Sequence, residues 1–163
     1  IRVVMGPQED HFTDEALEVF LNSSFTITSE ADRMGYRLDG PKIVHKTSAD
    51  IISDGIVFGS IQVPGHGSPI LMMADRATTG GYTKIATVIT PDLSTLAQMG
   101  PGNTITFEEI SVIDSHKIYK EYENEFENIK KNIKENKFEF DKNLKFNLNM
   151  FGKGYTVIVR EIE

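Results

Sequence analysis

The sequence of 163 residues contains no cysteine. This absence excludes disulfide bonds, thiolate zinc sites and a cysteine nucleophile, and it leaves the redox compartment undecided. Long apolar runs are missing too, because none approaches the roughly 20 residues that a membrane-spanning helix needs. No signal-peptide pattern opens the sequence. We therefore expect a soluble, cytoplasmic protein that does not enter a membrane.

Positive charge is also scarce, since 17 Lys and Arg face 24 Asp and Glu and give a net charge of −7. This balance argues against general nucleic-acid binding, which depends on clustered cations. The sequence has no P-loop and no GxSxG, GxGxxG or HExxH pattern, and its four histidines lack metal-ligand spacing. We expect no metal site and no self-contained ATPase or α/β-hydrolase.

Short apolar runs separated by glycine and proline dominate the first two thirds of the sequence. All six prolines and most of the glycines lie before residue 111. This pattern is typical of many short strands joined by tight turns. The connections are too short for repeated βαβ units, so we expect a closed barrel or a sandwich. The predicted strands are residues 1–5, 24–28, 34–38, 60–63, 70–74, 84–90 and 104–110.

Three segments predict helices: 13–21, capped by Thr13, then 91–98 and 115–136. Along the last one, apolar residues recur every three or four positions and predict a stripe that faces a core. These residues are Ile118, Tyr122, Phe126, Ile129 and Ile133. Two further strands are predicted near the end of the chain. One carries Phe138, Phe140, Leu144, Phe146 and Leu148 with a period of two, and the other covers 155–162.

Polar residues that could carry chemistry are densest between Gly59 and Tyr82. Asp75 and Arg76 follow an apolar strand and are themselves followed by two adjacent glycines. Glycines let backbone N–H groups approach an anion or a carbonyl closely, so this segment is a plausible site. The alternative is architectural: Asp75 and Arg76 would pair within the barrel, and Gly80 and Gly81 would form a hairpin turn.

Arg33 and Arg37 form a second candidate. On a strand, residues four apart lie on the same face, where two guanidinium groups could clamp a carboxylate or a phosphate. The alternative is that each arginine pairs with a surface acid such as Asp32 or Asp39, which contributes little energy. The residues alone leave both interpretations open.

At these residues the sequence resembles a known family. Met5-Gly6-Pro7-Gln8, with Asp10 and Phe12, precedes DRMGYRLDG at 32–40 and GSIQVPGHGSPILMMADRATTGGY at 59–82, and Asp92-Leu93, Ala97-Gln98, Pro101-Gly102 and Phe107 follow. This ordered set is similar to the C-terminal half of the biotin-dependent carboxyltransferase-like family. Its members include the C subunit of 5-oxoprolinase (KipA), allophanate hydrolase subunit 2 and the carboxyltransferase domain of urea carboxylase. The resemblance covers about residues 1–112.

The resemblance implies a mainly β fold, namely a cyclophilin-like closed β-barrel with a few flanking helices. Residues 1–163 would form this barrel as a single domain, with the helix and strands after residue 112 completing it. Family members are about twice as long as this chain. The chain would therefore be the C-terminal half of a longer protein.

Three functions follow from the resemblance. The first is a part in a multi-subunit ATP-dependent hydrolase that opens 5-oxoproline to glutamate, together with the A subunit and a KipI-like B subunit of that complex. The second is carboxyl transfer in a biotin-dependent, urea-type carboxylase. The third is non-enzymatic, a KipI antagonist that regulates a sensor kinase through protein binding. This chain would bind no cofactor alone, so ATP or carboxybiotin would belong to the complex.

The resemblance also implies site residues. Gln62 is expected to hold an amide as donor and acceptor, Arg76 to stabilise an oxyanion, and Asp75 to orient Arg76, which makes all three catalytic. Arg33 would assist Arg76, and the backbone of the glycine segment would supply N–H groups. The expected substrate-binding residues are Arg33, Arg37, Thr79, Gly80, Gly81 and Tyr82.

Overall fold

The computed structural model of the protein describes residues 1–135, 143–150 and 153–160. The chain divides into two compact units, Ile1–Tyr122 and Glu123–Glu163. In the described residues the helices are α1 (Asp14–Asn22), α2 (Leu93–Leu96) and α3 (Val112–Glu135). The strands are β1 (Arg2–Met5), β2 (Phe25–Ile27), β3 (Gly35–Asp39), β4 (Asp50–Gly55), β5 (Ser60–Gln62), β6 (Ile70–Met72), β7 (Thr79–Tyr82), β8 (Lys84–Val88), β9 (Thr104–Ile105), β10 (Glu108–Glu109), β11 (Asn143–Met150) and β12 (Lys153–Arg160).

The first unit is built on one sheet of eight strands in the order β10-β1-β8-β5-β6-β3-β2-β9. All neighbours are antiparallel except β1 and β10, which are parallel. The predicted strand at 104–110 is split, and its two halves lie at opposite ends of this order. The mainly β class is confirmed. The described pairings do not join β9 to β10, so closure of the barrel is not confirmed.

Two strands, β4 and β7, were not predicted as strands. They pair with each other as a two-stranded antiparallel ribbon, with Asp54 opposite Gly80 and Gly55 opposite Thr79. The 79–82 segment is thus neither a free anion-binding loop nor a hairpin turn. β4 escaped prediction because it is polar and mostly exposed, and β7 because paired glycines are uncommon within strands.

Aromatic rings fill the core between α1 and the sheet. Phe20 of α1 is fully buried, and its ring stacks on that of Phe107 with centroids 4.6 Å apart. The ring of Phe25 in β2 lies 5.9 Å from that of Phe107. α1 begins where Thr13 caps it, since the Thr13 hydroxyl accepts a hydrogen bond from the Ala16 N–H at 3.1 Å. The predicted helix and its cap are confirmed.

The long helix α3 begins earlier than predicted, because the Ser111 hydroxyl accepts the Asp114 N–H at 3.0 Å. The first two residues of the predicted stripe, Ile118 and Tyr122, are half-buried. The next three, Phe126, Ile129 and Ile133, are exposed. The prediction that the stripe faces a core along the whole helix is therefore wrong.

The second unit contains an antiparallel hairpin in which β11 pairs with β12, from Asn143 opposite Arg160 to Met150 opposite Lys153. Both strands were predicted from their sequence patterns. Phe138, Phe140 and Ile162 lie outside the described residues. That these strands complete a barrel stays a prediction.

None of the described helices combines the length and the apolar character that crossing a membrane requires. Over the same residues, no cluster of three or more histidine, aspartate or glutamate side chains could hold a metal ion.

The cap of α1 gives a direct test of this fold. Thr13→Ala removes the side-chain oxygen that accepts a hydrogen bond from the first turn of the helix and should lower the free energy of unfolding by about 1 kcal/mol. Thr106→Ala, at an exposed threonine outside the helices, should change it by less than about 0.5 kcal/mol. Urea denaturation followed by circular dichroism measures both. Equal midpoints for the two variants would contradict the capping role.

Candidate functional site

A row of side chains crosses one face of the large sheet. The register places Arg37 of β3 opposite Ile70 of β6, Ile70 opposite Gln62 of β5, and Gln62 opposite Lys84 of β8. Cross-strand partners point to the same face, with Cβ atoms about 5 Å apart. Next to Gln62 the register shifts, and β8 has one extra residue, Ile85. Bulges of this kind change the direction of a side chain and are frequent next to active sites.

The β4–β7 ribbon approaches this row closely. A Cβ atom on Gly80 would lie 3.1 Å from Gln62 Nε2 and 2.7 Å from Ile56 Cδ1, so only glycine fits there without displacement. Gln62 itself is 5% exposed, and its Nε2 donates to the Tyr82 carbonyl oxygen at 3.5 Å. The ribbon therefore buries the Gln62 carboxamide while leaving its oxygen and one N–H without a described partner.

An ion pair fastens the ribbon to β8. Lys84 Nζ lies 2.8 Å from Asp54 Oδ2, and the side chain of Lys84 is 5% exposed whereas that of Asp54 is 52% exposed. Gln8 links both residues: its Oε1 accepts the Lys84 N–H at 3.1 Å, and its Nε2 donates to Asp54 Oδ2 at 3.4 Å. The hydrogen bond from Lys84, with one from the Gly55 N–H, holds the pKa of Asp54 below its usual value.

A cavity of about 320 Å³ opens at Gln62. Its apolar lining comes from Met34, Ile70 and Met72, and Gly35 leaves room between them. The charged and polar lining comes from Glu30, Asp32, Arg37, Gln62 and Tyr82. Three of the predicted site residues, Arg37, Gln62 and Tyr82, are thus brought together here. The volume suits a small organic molecule.

Arg33 and Asp75 lie elsewhere and bind each other. Arg33 Nε donates to Asp75 Oδ2 at 2.6 Å, and Nη2 donates to Oδ1 at 3.0 Å. This contact lowers the pKa of Asp75. Because the two side chains are 80% and 51% exposed, the pair adds little stability. Arg33 lines a separate cavity of about 320 Å³ with Tyr36, Phe58 and Met73.

Arg76 makes no described hydrogen bond or ion pair with the Asp75 carboxylate, which was expected to orient it. Its Nε donates to the Ile56 carbonyl oxygen at 3.1 Å, and its guanidinium carbon lies 5.7 Å from the centre of the Phe58 ring. Asp75 instead binds Arg33, which is 42 residues away in sequence. The prediction that Asp75 orients Arg76 is therefore wrong. A catalytic role for Arg76 stays a prediction. The hydrogen bonds of its guanidinium go to the backbone carbonyl oxygens of Ile56, Met73 and Ala74, which lie in the loops after β4 and β6.

The predicted clamp of Arg33 and Arg37 is also absent. Arg33 lies in the turn before β3 rather than in the strand, so the two guanidinium groups do not share a face. Arg37 Nε lies 3.1 Å from Glu30 Oε2. Each arginine thus pairs with a different acid and lines a different cavity.

Sequence reasoning missed Lys84 and Asp54, and it used Gln8 only as part of a motif. One signal was visible for Lys84: it is a lone charge at the start of the apolar strand KIATV. A buried lysine needs a partner. No comparable signal pointed to Asp54, because its partner lies 30 residues further along the chain.

This mainly β sheet, with its polar row and covering ribbon, has the fold of a carboxyltransferase domain. The family model "Carboxyltransferase domain, subdomain A and B" matches residues 1–109. The chain belongs to this family.

Named relatives and solved structures agree with the family. The chain is 41% identical over 123 residues to the C subunit of 5-oxoprolinase from Haemophilus influenzae, covering 76% of this chain and 40% of that protein. It is 38% identical to the same subunit from Escherichia coli, covering 72% and 38%. The chain thus spans about two fifths of the length of these relatives. The crystal structure of the urea amidolyase of K. lactis matches with a TM-score of 0.74 and 26% identity, covering 78% of this chain and 8% of that one.

The close approach of the ribbon predicts the effect of enlarging Gly80. Gly80→Ala should lower the free energy of unfolding by about 0.5–1.5 kcal/mol, because the new methyl group forces the end of the Ile56 side chain out of its present position and presses on Gln62 Nε2. Gly55→Ala is the matched control in the same ribbon, since no atom lies within 4 Å of its added Cβ. Thermal unfolding measures both variants. If Gly80→Ala were as stable as Gly55→Ala, the ribbon would not be packed on Gln62.

Proposed function

We propose that this chain is the C-terminal domain of a protein like the C subunit of 5-oxoprolinase. In that role it forms part of a multi-subunit, ATP-dependent hydrolase that opens 5-oxoproline to glutamate. The observation that carries the proposal is the buried Gln62 carboxamide at the wall of a small cavity that Arg37 also lines. The identity to two 5-oxoprolinase C subunits supports the same substrate class.

The chemistry of the cavity suits this substrate. 5-Oxoproline is a five-membered lactam that carries a carboxylate. The free N–H of Gln62 donates to the lactam carbonyl, and Gln62 Oε1 accepts the lactam N–H, so that a single side chain satisfies both groups. The methylene groups of the ring contact Met34, Ile70 and Met72, which line the same cavity.

Arg37 is the group that binds the carboxylate in this proposal. A guanidinium can donate two parallel hydrogen bonds to a carboxylate. The present partner of Arg37, Glu30, is more than half exposed, as Arg37 is. Exposed pairs of this kind contribute little energy. A ligand carboxylate can therefore replace Glu30 at small cost.

The cavity does not suit ATP. Its charged lining has two carboxylates, Glu30 and Asp32, against one cation, Arg37, and a triphosphate would be repelled. In the proposed complex ATP is bound by the two companion subunits, which we assign as the A subunit of 5-oxoprolinase and a KipI-like B subunit. The cytoplasmic location expected from the sequence belongs to the same proposal.

A carboxyltransferase function is the alternative. It is favoured by the structural likeness to the K. lactis urea amidolyase, which extends over 78% of this chain. Urea and the ureido ring of biotin present the same adjacent N–H and carbonyl groups to Gln62 as a lactam does. Urea has no carboxylate, so a requirement for Arg37 distinguishes the two functions.

The assembled activity tests the proposal. The protein that carries this chain, mixed with its two companion subunits, should hydrolyse 5-oxoproline only when ATP and all three components are present. Glutamate release measured by an amino-acid assay gives the rate. Omission of the protein that carries this chain is the control. A stable complex without turnover would instead support the regulatory KipI-antagonist function or a different acceptor.

Substitution of Gln62 tests its role within that activity. Gln62→Leu should lower kcat/KM for 5-oxoproline by about 10- to 100-fold, because the lactam loses a donor and an acceptor in a buried site. Gln98→Leu, at an exposed glutamine beyond α2, should leave kcat/KM unchanged. A wild-type rate for a folded Gln62→Leu variant would remove Gln62 from the site.

A further inference from the structure

The floor of the cavity at Gln62 includes a residue without a side chain. Gly35 of β3 lines this cavity together with Ile70 and Met72 of β6. The backbone of Gly35 does not itself require glycine, because its φ angle lies outside the left-handed region. A glycine within a strand often marks a point where a ligand approaches the backbone closely. The space beside Gly35 is therefore the feature that calls for an explanation.

A Cβ atom on Gly35 would enter the lining of the cavity. It would lie 3.2 Å from Ile70 Cγ2, 3.3 Å from the Leu71 carbonyl oxygen and 3.8 Å from Met72 Sδ. The register places Gly35 opposite Met72. The next pair on the same face joins Arg37 to Ile70. The missing side chain thus leaves an opening between Ile70 and Met72, at the level of the strand backbone.

Hydrogen bonds hold the backbone at this opening. The Gly35 N–H donates to Asp32 Oδ1 at 3.0 Å, and the Gly35 carbonyl oxygen accepts the Asp32 N–H at 3.1 Å. The neighbouring carbonyl oxygen, that of Met34, accepts the Met73 N–H at 3.0 Å. Because the chain is tied on both sides, a side chain added at position 35 would displace Ile70 rather than the backbone.

Ile70 lies between the two side chains that are proposed to bind the ligand. In the register it has Gln62 on one side and Arg37 on the other. Neighbouring strands are about 4.8 Å apart, so the strands of Gln62 and Arg37 are about 10 Å apart. A molecule that binds both side chains must pass over Ile70 and beside Gly35. The opening therefore lies where the ring of such a molecule would rest.

We infer that Gly35 is a specificity-determining residue: the opening that it leaves provides room for the ring of the bound lactam, and a side chain there would restrict the cavity to smaller rings. The inference rests on the proposed function and adds to it what limits the substrate class. The methylene groups of the ring contact the Gly35 backbone, with Ile70 and Met72 at its sides. One methylene more or less in an apolar pocket changes recognition by roughly 10- to 200-fold.

Two ring sizes test the inference. 5-Oxoproline has a five-membered ring, and 6-oxopiperidine-2-carboxylate has a six-membered ring with the same lactam and carboxylate groups. NMR titration of the 163-residue chain gives the affinity for each compound, and the wild type should bind both. Gly35→Ala should weaken binding of the six-membered lactam at least about 10-fold more than binding of 5-oxoproline, because the new methyl group takes the space of about one methylene.

Variants on the facing strand separate this role from a general effect on the sheet. Met72→Ala in the Gly35→Ala background removes the side chain across the opening and should restore binding of the six-membered lactam. Met72→Phe narrows the same opening without a change at Gly35, so it should discriminate against the larger ring even if Gly35→Ala does not fold.

Gly65→Ala is the matched control. A Cβ atom on Gly65 would have one neighbour within 4 Å, Ala49 Cβ at 3.8 Å, and Gly65 does not line this cavity. Binding of both lactams should therefore be unchanged in this variant.

The outcomes separate the two proposals. Equal weakening of both lactams in folded Gly35→Ala and Met72→Phe variants, or no weakening of either, would overturn the role of Gly35 and leave the proposed function intact. A wild-type chain that binds 5-oxoproline but not the six-membered lactam would also overturn it, since another group would then limit the ring. A wild-type chain that binds neither lactam, in a complex inactive on 5-oxoproline, would overturn both proposals.

Discussion

The close packing of the β4–β7 ribbon on the large sheet is the constraint on which the candidate site depends. Two contacts set the distance: the bare backbone of Gly80 against the Gln62 amide, and the ion pair between Lys84 and Asp54. With the ribbon in place, the carboxamide of Gln62 is buried and its geometry is fixed. Without it, Gln62 and Lys84 would be exposed polar residues on an open face of the sheet, with far weaker interactions because water would screen them.

The distribution of charge explains why the site depends on few groups. Each exposed arginine is paired with its own acid, Arg33 with Asp75 and Arg37 with Glu30, and the two arginines line different cavities. In the proposed function, recognition of a small polar molecule depends on the directed hydrogen bonds of Gln62 together with the guanidinium of Arg37. A carboxamide suits this purpose because it both donates and accepts. The relatives are named for 5-oxoproline and for urea, and both of these molecules contain an amide-like group.

Local patterns were enough to predict most of the fold, and contacts distant in sequence account for what they missed. The strands with alternating apolar residues were found, as was α1 with its Thr13 cap. The ribbon was missed because β4 has no apolar alternation, and its partner β7 contains two glycines. The predicted strand at 104–110 was split because its two ends pair with strands on opposite edges of the sheet. Which strand a segment pairs with depends on the whole sheet and not on the sequence of that segment alone.

The site shows the same division. Gln62, Arg37 and Tyr82 were named from separate motifs, and the structure places all three at one cavity. The pairing of Asp75 was wrong because sequence proximity suggested Arg76, whereas the turn before β3 brings Arg33 to it. A guanidinium with two matched donors outcompetes a sequence neighbour whose donors already bind carbonyl oxygens, as those of Arg76 do. The cationic role that the sequence suggested for Arg76 therefore stays a prediction, because Arg76 does not line the cavity at Gln62.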